Sequence, residues 1–176
     1  MRLRIRDIEE TTKELVYDEP TSELNPVLEH GPVHDFAFAT PANVDLNYYR
    51  SGQEIFLSGQ MRSTVVGQCA RCLESFEFVH APKFSFIMVP REGRWAEEDL
   101  SGGGGDLTWY EGEEIDLSPI LRERLLLALP TLPLCREACR GLCARCGADL
   151  NAGACGCAEA VGDPRFAVLR SWKPSP

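Results

Sequence analysis

Several segments of the first ninety residues have the two-residue alternation or the composition of β-strands. The segment RLRIRDI (2–8) alternates, with Leu3, Ile5 and Ile8 set against Arg2, Arg4 and Arg6. Four later stretches are rich in β-branched and aromatic residues and are separated by short turn signals: VDLNYY (44–49), EIFLSGQMRSTVV (54–66), ESFEFV (74–79) and KFSFIMV (83–89). This pattern predicts the strands of an antiparallel sheet, so residues 1–90 are expected to form a β-rich domain.

Two further segments are predicted to be loops. Pro20, Pro26, Gly31-Pro32 and Pro41 interrupt the region before residue 44, which indicates a loop that wraps the domain. Residues 91–116 combine many acidic residues with four consecutive glycines. Such a segment buries too little apolar area to offset the entropy of ordering it, so it is expected to be an acidic, Gly-rich loop or linker.

The third segment, residues 117–176, begins with a short helix. Ser118 is a suitable N-cap and Pro119 suits the first helical position, while ILRERLLLAL (120–129) continues the helix until it stops before Pro130. A cysteine cluster is expected to follow and to pack on the first domain. The predicted fold class is therefore α+β, with an antiparallel β-rich sheet, a short helix and a C-terminal zinc-ribbon or knuckle cluster.

Composition and charge narrow the class of protein. The chain has a net charge of −9, but the segments 61–91 and 117–176 are locally basic. Overall acidity argues against broad, non-specific nucleic-acid binding. The N-terminus lacks the apolar run of a signal peptide, and no stretch reaches the roughly 18 apolar residues of a membrane helix. We therefore expect a cytoplasmic protein with no membrane partner, in which grouped cysteines hold metal or do redox chemistry.

The eight cysteines fall into four short groups that predict two zinc sites. Cys143, Cys146, Cys155 and Cys157 form one compact set, in which the glycine after Cys146 suits the sharp turn of a Cys-x2-Cys knuckle. The second set is expected to join two groups that are distant in sequence, Cys69 with Cys72 and Cys135 with Cys139. Three residues separate Cys135 from Cys139, a spacing that places both sulfurs on one face of a helical turn.

Several alternatives to these two cysteine sets, and to zinc as their occupant, stay open at this stage. Exchanging Cys139 into the other set also satisfies the ligand count. Four thiolates equally suit an iron–sulfur cluster. Disulfides are disfavoured by the absence of a signal peptide.

No catalytic site is predicted. An all-cysteine zinc shell is closed, whereas a catalytic zinc keeps an open position and commonly uses histidine. The chain has only three histidines, and His80, at the end of a predicted strand, is expected at the surface. Neither a phosphate-binding glycine loop nor a nucleophile elbow is present. We therefore expect neither enzymatic activity nor a small-molecule substrate.

Arginines accompany the cysteines and are candidates for binding RNA or a partner: Arg71, Arg136, Arg140 and Arg145. Zinc knuckles that present arginine grip RNA through phosphate contacts and stacking. The same arginines also have a simpler explanation, because a zinc ion with four thiolates carries a formal charge of −2 that nearby arginines neutralise. The sequence leaves both roles open.

Three motifs in order resemble the YceD-like proteins, which support accumulation of the 23S ribosomal RNA of the large subunit. They are CARCLESF (69–76), LALPTLPLCREACRGLCARCGADLN (127–151) and DPRFAVLRSWK (163–173). The resemblance implies a non-enzymatic role in large-subunit biogenesis, a short terminal helix after the cysteine cluster, and rRNA or a large-subunit ribosomal protein as partner. It also implies a bacterial or plastid setting, and because no transit peptide is visible we expect a bacterial protein. A function from another class, a metal-dependent redox or thiol-responsive regulator, remains the alternative.

Overall fold

The strand β5, Glu54–Gln68, is the longest element and organises the sheet. The structure is a computed structural model that describes residues 1–30, 35–91 and 106–157. The other elements, in chain order, are β1 (Arg2–Arg4), a 3-10 turn (Ile5–Asp7), β2 (Lys13–Glu19), α1 (Thr21–Glu29), β3 (Phe36–Phe38), β4 (Ala42–Ser51), β6 (Ser75–His80), β7 (Lys83–Pro90), β8 (Asp106–Tyr110), β9 (Glu114–Asp116) and α2 (Ser118–Leu127). A mostly β structure with two helices in its described part agrees with the predicted α+β class.

Each half of β5 pairs with a different set of strands. Its first half lies between β4 and β7, in a sheet ordered β2-β4-β5-β7-β8, and its second half lies between β3 and β6. The pairs that β5 makes are all antiparallel, whereas β7 and β8 are parallel. The four strands expected between residues 44 and 89 are confirmed, and the pairings of β4, β6 and β7 with β5 are antiparallel as predicted. The sequence did not predict β8, which adds a parallel pairing at this edge.

The hydrophobic core lies on one face of the sheet. Alternate residues of the central strands are buried, including Val44 and Leu46 in β4 and Ile55 and Leu57 in β5. Leu121 and Leu125 of α2 pack into the same cluster, as do Leu3 of β1 and Ile115 of β9. Burying one such leucine or isoleucine stabilises the fold by about 1.5–3 kcal/mol. The helix after residue 117 therefore shares its core with the sheet of residues 1–90.

The segment around Pro26 is a helix rather than the predicted loop. Helix α1 contains Pro26 and buries Leu24 completely. Asn25 attaches the helix to the neighbouring strand, because its amide nitrogen donates to the Phe38 carbonyl (3.1 Å) and its oxygen accepts from the Phe38 N–H (2.8 Å). These tertiary contacts offset the loss of the backbone hydrogen bond that a proline causes in a helix interior. The loop prediction was therefore wrong for this segment.

Helix α2 starts slightly differently from the prediction. Ser118 is its first helical residue instead of its N-cap, and the Asp116 carboxylate accepts a hydrogen bond from the Ser118 N–H (3.1 Å). The Ser118 hydroxyl is turned inward and donates to the buried Glu19 (3.2 Å). Arg122 of the same helix forms an ion pair with Glu19, so β2 and α2 are joined by a buried polar contact.

Two predicted segments fall partly or wholly outside the described residues. In residues 91–116, predicted as an acidic loop or linker, positions 106–116 carry β8 and β9, and positions 92–105 are not described. The terminal helix expected within 163–173 also lies outside the described residues. Residues 128–157, where a zinc-ribbon or knuckle cluster was predicted, form turns and an isolated β-bridge between Leu142 and Asp149. The zinc ribbon stays a prediction.

Candidate metal centres

The β5–β6 hairpin ends in a Cys-x2-Cys turn that carries Cys69 and Cys72. The Cys69 N–H donates to the Glu74 carbonyl (2.9 Å), which closes the hairpin, and the Leu73 N–H donates back to the Cys69 carbonyl (2.9 Å). Leu73 has a φ of 62°, a left-handed conformation that a leucine seldom adopts, and its side chain is 56% exposed. The turn therefore brings both sulfurs to the same side at a cost in backbone strain.

The segment after α2 supplies the other half of this site. The Ala70 N–H donates to the Pro133 carbonyl (2.8 Å), which holds the segment against the hairpin turn. The pair Cys135 and Cys139 lies on a turn closed by a bond from the Cys139 N–H to the Arg136 carbonyl (3.0 Å). This is a four-residue turn over residues 136–139, and the helical turn that the spacing predicted is absent from this part of the described structure.

Four sulfurs meet at this junction and form what we call the Cys69 cluster: Cys69, Cys72, Cys135 and Cys139. Their sulfurs lie within 4.8 Å of one another, with 3.8 Å between Cys69 and Cys139 and 3.7 Å between Cys72 and Cys135. Ligands about 2.3 Å from one ion at tetrahedral corners are about 3.8 Å apart. The cluster therefore has the dimensions of a tetrathiolate site for a single metal ion.

The remaining four cysteines form what we call the Cys143 cluster: Cys143, Cys146, Cys155 and Cys157. Its Cys-x2-Cys turn repeats the geometry of the hairpin turn. The Gly147 N–H donates to the Cys143 carbonyl (2.9 Å), and Gly147 has a φ of 71°. This cluster is more exposed than the Cys69 cluster. The two groups coincide with the two sets predicted from spacing, and all eight cysteines are free thiols.

Backbone N–H groups favour the thiolate form of the first cysteine in each turn. Burial opposes ionisation of Cys69, but backbone donors, chiefly the Cys135 N–H, lower its pKa to about 6. The N–H groups of Cys146 and Arg145 lower the pKa of Cys143 to about 6, and the Arg145 nitrogen lies 3.4 Å from the Cys143 sulfur. Each turn thus prepares one sulfur as an anionic ligand.

Another thiol of each cluster resists ionisation because the sulfurs are crowded. The Glu74 N–H favours the thiolate of Cys72, but burial and the neighbouring thiols prevail and raise its pKa to about 12. The neighbouring Cys146 thiol raises the pKa of Cys157 to about 12. Four thiolates within one tetrahedron repel each other unless a cation lies between them. The donor set therefore suits a bound metal ion of double positive charge.

Contacts of Arg71 with the segment around Gly141 connect the two clusters. The Arg71 guanidinium donates from Nη1 to the carbonyls of Cys139 (2.8 Å) and Glu137 (3.3 Å). The Arg71 carbonyl accepts from the Leu142 N–H (3.0 Å), one residue before the Cys143 cluster. Gly141, at a φ of 72°, passes so close that a Cβ placed there would lie 2.8 Å from the Arg71 carbonyl oxygen. Sequence reasoning missed this glycine, since its role depends on a residue seventy positions away.

The other three candidate arginines lie on the outer surface of this assembly. Arg136, Arg140 and Arg145 are exposed, and none of them forms an ion pair with a residue that the structure describes. All three lie within one turn-rich segment whose cysteines belong to the two clusters. The role of these exposed arginines as a binding surface stays a prediction.

His80 is buried, so the expectation that it lies at the surface was wrong. Its Nε2 forms a hydrogen bond of 3.0 Å with the Leu125 carbonyl, and its ring packs edge-on against Phe38 and Phe78. Burial lowers its pKa, although the bond to Leu125 acts in the opposite direction. His80 joins β6 to the end of α2 and lies outside both clusters.

Comparisons with known proteins show that the chain is similar to a family named for the accumulation of large-subunit ribosomal RNA. The family model described as "Large ribosomal RNA subunit accumulation protein YceD" matches residues 57–173, which include both clusters. A chloroplastic protein of Arabidopsis thaliana, "Large ribosomal RNA subunit accumulation protein YCED homolog 1", is 28% identical over 160 residues, covering 78% of this chain and 50% of that protein.

Mycobacterial proteins also match. An uncharacterized protein of Mycobacterium tuberculosis is 32% identical over 130 residues, covering 72% of this chain and 59% of its own length. The chain spans about half the length of the curated relatives it matches. No solved structure matches it significantly. Within the described residues, neither helix has the length and apolar character needed to cross a membrane.

Proposed function

Because the chain belongs to the YceD family of large ribosomal RNA subunit accumulation proteins, we propose that it supports accumulation of 23S rRNA as a non-enzymatic zinc protein. In this role it contacts rRNA directly, through the face that carries the two cysteine clusters. It acts in the bacterial cytoplasm, where large subunits are assembled.

Each cluster holds one zinc ion in this proposal, and all eight cysteines are ligands. The sulfur separations of 3.7 and 3.8 Å in the Cys69 cluster support a single tetrahedral ion. An iron–sulfur cluster spreads its thiolates over several irons, which separates the sulfurs more widely than one ion does. The zinc ions stabilise the fold, since binding energy at such sites is largely folding energy.

The non-enzymatic character follows from the proposed ligand shells. Four cysteines complete the coordination of zinc and leave no position for a substrate or an activated water. His80, a residue type that catalytic zinc sites use, is committed to the Leu125 carbonyl instead. The protein is then a binding partner whose metals hold its surface in shape.

The observation that carries the RNA contact is the arginine surface. Arg136, Arg140 and Arg145 are exposed without an acidic partner among the described residues, in an otherwise acidic protein. Unpaired guanidinium groups at fixed positions suit the phosphates and bases of RNA. Arg71 contributes differently, because its guanidinium is engaged with the Glu137 and Cys139 carbonyls. We assign it to holding the segment that presents the other three.

Fluorescence anisotropy with labelled 23S rRNA fragments tests this contact. The triple variant Arg136→Ala, Arg140→Ala, Arg145→Ala should raise Kd at least tenfold and lower the salt slope by about one per lost phosphate contact. The matched control replaces Arg2, Arg4 and Arg6 by alanine, which removes the same charge from another surface. Equal loss in both variants would show a general charge effect and refute a dedicated site.

Sedimentation of the tagged protein through a sucrose gradient of growing bacterial cells tests the biological role. It should co-sediment with large-subunit precursors, and the triple variant should not. Co-sedimentation without affinity for any rRNA fragment would replace the RNA contact by a contact with a ribosomal protein. A protein that stays at the top of the gradient even after crosslinking would refute the role.

A thiol-responsive regulator is the second candidate, and the exposure of Cys146 favours it. In that function hydrogen peroxide takes two electrons from two thiolates of the Cys143 cluster. The thiolates join in a disulfide, the peroxide becomes two water molecules after taking up two protons, and the zinc ion is released. A peroxide titration with a zinc-release readout separates the candidates, because purely structural sites should retain zinc in mild oxidant.

A further inference from the structure

Asn151 belongs to the loop of one cluster but contacts a ligand of the other. The loop runs from Cys146 to Cys155, between two cysteines of the Cys143 cluster. The Asn151 side-chain nitrogen donates to the sulfur of Cys139, a member of the Cys69 cluster, over 3.5 Å. Its side-chain oxygen accepts from the Arg140 N–H (2.8 Å), so both ends of the amide are engaged.

Asn151 is held in this orientation by its own loop. The Asp149 carboxylate accepts from the backbone N–H of Asn151 (2.9 Å) and from its side-chain nitrogen (2.8 Å). The loop is in turn attached to the segment between the clusters, since the Leu150 N–H donates to the Gly141 carbonyl (2.9 Å). The position of Asn151 therefore depends on the conformation of the loop that the Cys143 cluster closes at both ends.

The contact has a direct effect on the Cys69 cluster. The Asn151 side-chain nitrogen donates to the Cys139 sulfur over 3.5 Å, and an N–H group in this position stabilises negative charge on sulfur. Cys139 is buried, and a buried thiolate depends strongly on its few donors. Groups that hydrogen-bond a metal ligand orient that ligand and tune its affinity for the metal.

We propose that Asn151 couples the two clusters, so that a metal ion in the Cys143 cluster raises the affinity of the Cys69 cluster for its own ion. This inference rests on the proposed two-zinc function. An ion in the Cys143 cluster orders the loop and thereby places the Asn151 amide against Cys139. Linkage requires the reverse effect to be equal, so an ion in the Cys69 cluster favours binding at the Cys143 cluster by the same factor.

The size of the coupling follows from the class of contact. Removing a hydrogen-bond partner of a metal ligand lowers metal affinity by about 10–100-fold. We expect Asn151→Ala to weaken zinc binding at the Cys69 cluster at least tenfold, although the residue is not a ligand and lies in the other cluster's loop. The control is Gly153→Ala in the same loop, where an added Cβ meets no atom within 4 Å.

Native mass spectrometry of the full chain during zinc titration from the metal-free, reduced state measures the coupling. Two independent and equal sites leave about half of the chains with one ion at one equivalent of zinc. The wild type and Gly153→Ala should show far less of this one-ion species, and Asn151→Ala should show much more. Should Asn151→Ala fail to fold, Asn151→Asp serves instead: it keeps the acceptor for Arg140, removes the donor to Cys139 and adds a negative charge beside that sulfur, so the one-ion species should increase at least as much.

Cadmium-113 NMR supplies a readout that general destabilisation does not produce. With two bound ions, the resonance of the Cys69 cluster should shift in Asn151→Ala, whereas Gly153→Ala should shift neither resonance. The resonances are assigned with the double variant Cys155→Ser, Cys157→Ser, which removes the Cys143 site. In that background, Asn151→Ala should no longer change zinc affinity at the Cys69 cluster, as measured by chelator competition.

The outcomes separate this inference from the function on which it rests. Two bound ions with the same one-ion population in the wild type and Asn151→Ala would overturn the coupling and leave the two zinc sites intact. Absence of metal from both clusters would overturn the zinc function and the coupling together. Loss of the rRNA contact alone would leave the titration unchanged.

Discussion

The contact between Gly141 and Arg71 predicts a large difference between two glycine substitutions that look equivalent. Gly141 and Gly147 lie six residues apart and have φ angles of 72° and 71°. A Cβ on Gly147 meets no atom within 4 Å, whereas a Cβ on Gly141 would lie 2.8 Å from the Arg71 carbonyl oxygen and 3.0 Å from its Cβ. Both alanine variants share the same backbone strain, and only Gly141→Ala also collides with the hairpin turn.

The expected magnitudes follow from this difference. A left-handed conformation costs an L-residue about 1–2 kcal/mol, and reduced freedom of the unfolded chain returns about 0.4–1 kcal/mol. Gly147→Ala should therefore lower the free energy of unfolding by about 1 kcal/mol. Gly141→Ala adds overpacking of about 1–3 kcal/mol and endangers the Leu142 to Arg71 hydrogen bond, which contributes about 1 kcal/mol. The two variants should differ by about 2–4 kcal/mol.

Differential scanning calorimetry at a fixed excess of zinc and reductant measures the difference, since free metal concentration itself shifts Tm. For a chain of this size, 1 kcal/mol corresponds to about 2–4 °C. Gly141→Ala should therefore melt about 4–16 °C below Gly147→Ala. Equal melting temperatures would refute the close packing of residue 141 on the hairpin turn, and with it the docking of the two clusters.

Three further predictions test separate parts of the structure. Cys69→Ser should lower Tm substantially and leave one zinc ion per chain by native mass spectrometry, because metal binding stabilises the fold; an unchanged Tm would contradict the site that joins the hairpin to the later segment. Arg122→Ala should cost about 3 kcal/mol in chemical denaturation because it strands the buried Glu19, whereas Glu23→Ala, which removes only an exposed partner, should cost under about 1 kcal/mol. Burial lowers the pKa of His80 below its ordinary 6.5. As the pH falls below that value, the unfolded chain therefore takes up a proton before the folded chain does, and the free energy of unfolding decreases. In urea titrations between about pH 7 and pH 5.5, His80→Gln should lose less stability than the wild type, and equal losses would refute a neutral, buried imidazole.

The strands β4, β5, β6 and β7 could be predicted from the local pattern of apolar and polar residues, because each of them turns one face towards the interior. The pattern failed where tertiary contacts outweigh local preference. Pro20 and Pro26 indicated a loop, yet α1 forms because Leu24 is buried and Asn25 bonds both backbone groups of Phe38. The parallel pairing of β8 with β7 was equally hidden, since strand direction depends on how the intervening chain returns and leaves no mark in the residues of either strand.

The grouping of the cysteines was predictable for a physical reason. Cysteines close in sequence share a turn, and four sulfurs are needed for a tetrahedral ion, so few combinations satisfy both conditions. Asn151 and Gly141 were not predictable in this way. Each acts on a partner from another group, Asn151 on Cys139 and Gly141 on Arg71, and neither residue type at such a position distinguishes a structural contact from an ordinary turn.

Arg71 shows how this limit bears on function. From sequence it resembles the other arginines of the cysteine-rich segment, since all four interleave with cysteines and carry the same charge. In the structure its guanidinium donates to the carbonyls of Glu137 and Cys139, so part of its hydrogen-bonding capacity is used inside the protein. Replacing Arg71 should therefore weaken RNA binding mainly by loosening the segment that presents Arg136 and Arg140, and the loss should be accompanied by a lower Tm. Loss of RNA affinity at unchanged Tm would instead assign Arg71 to the contact itself.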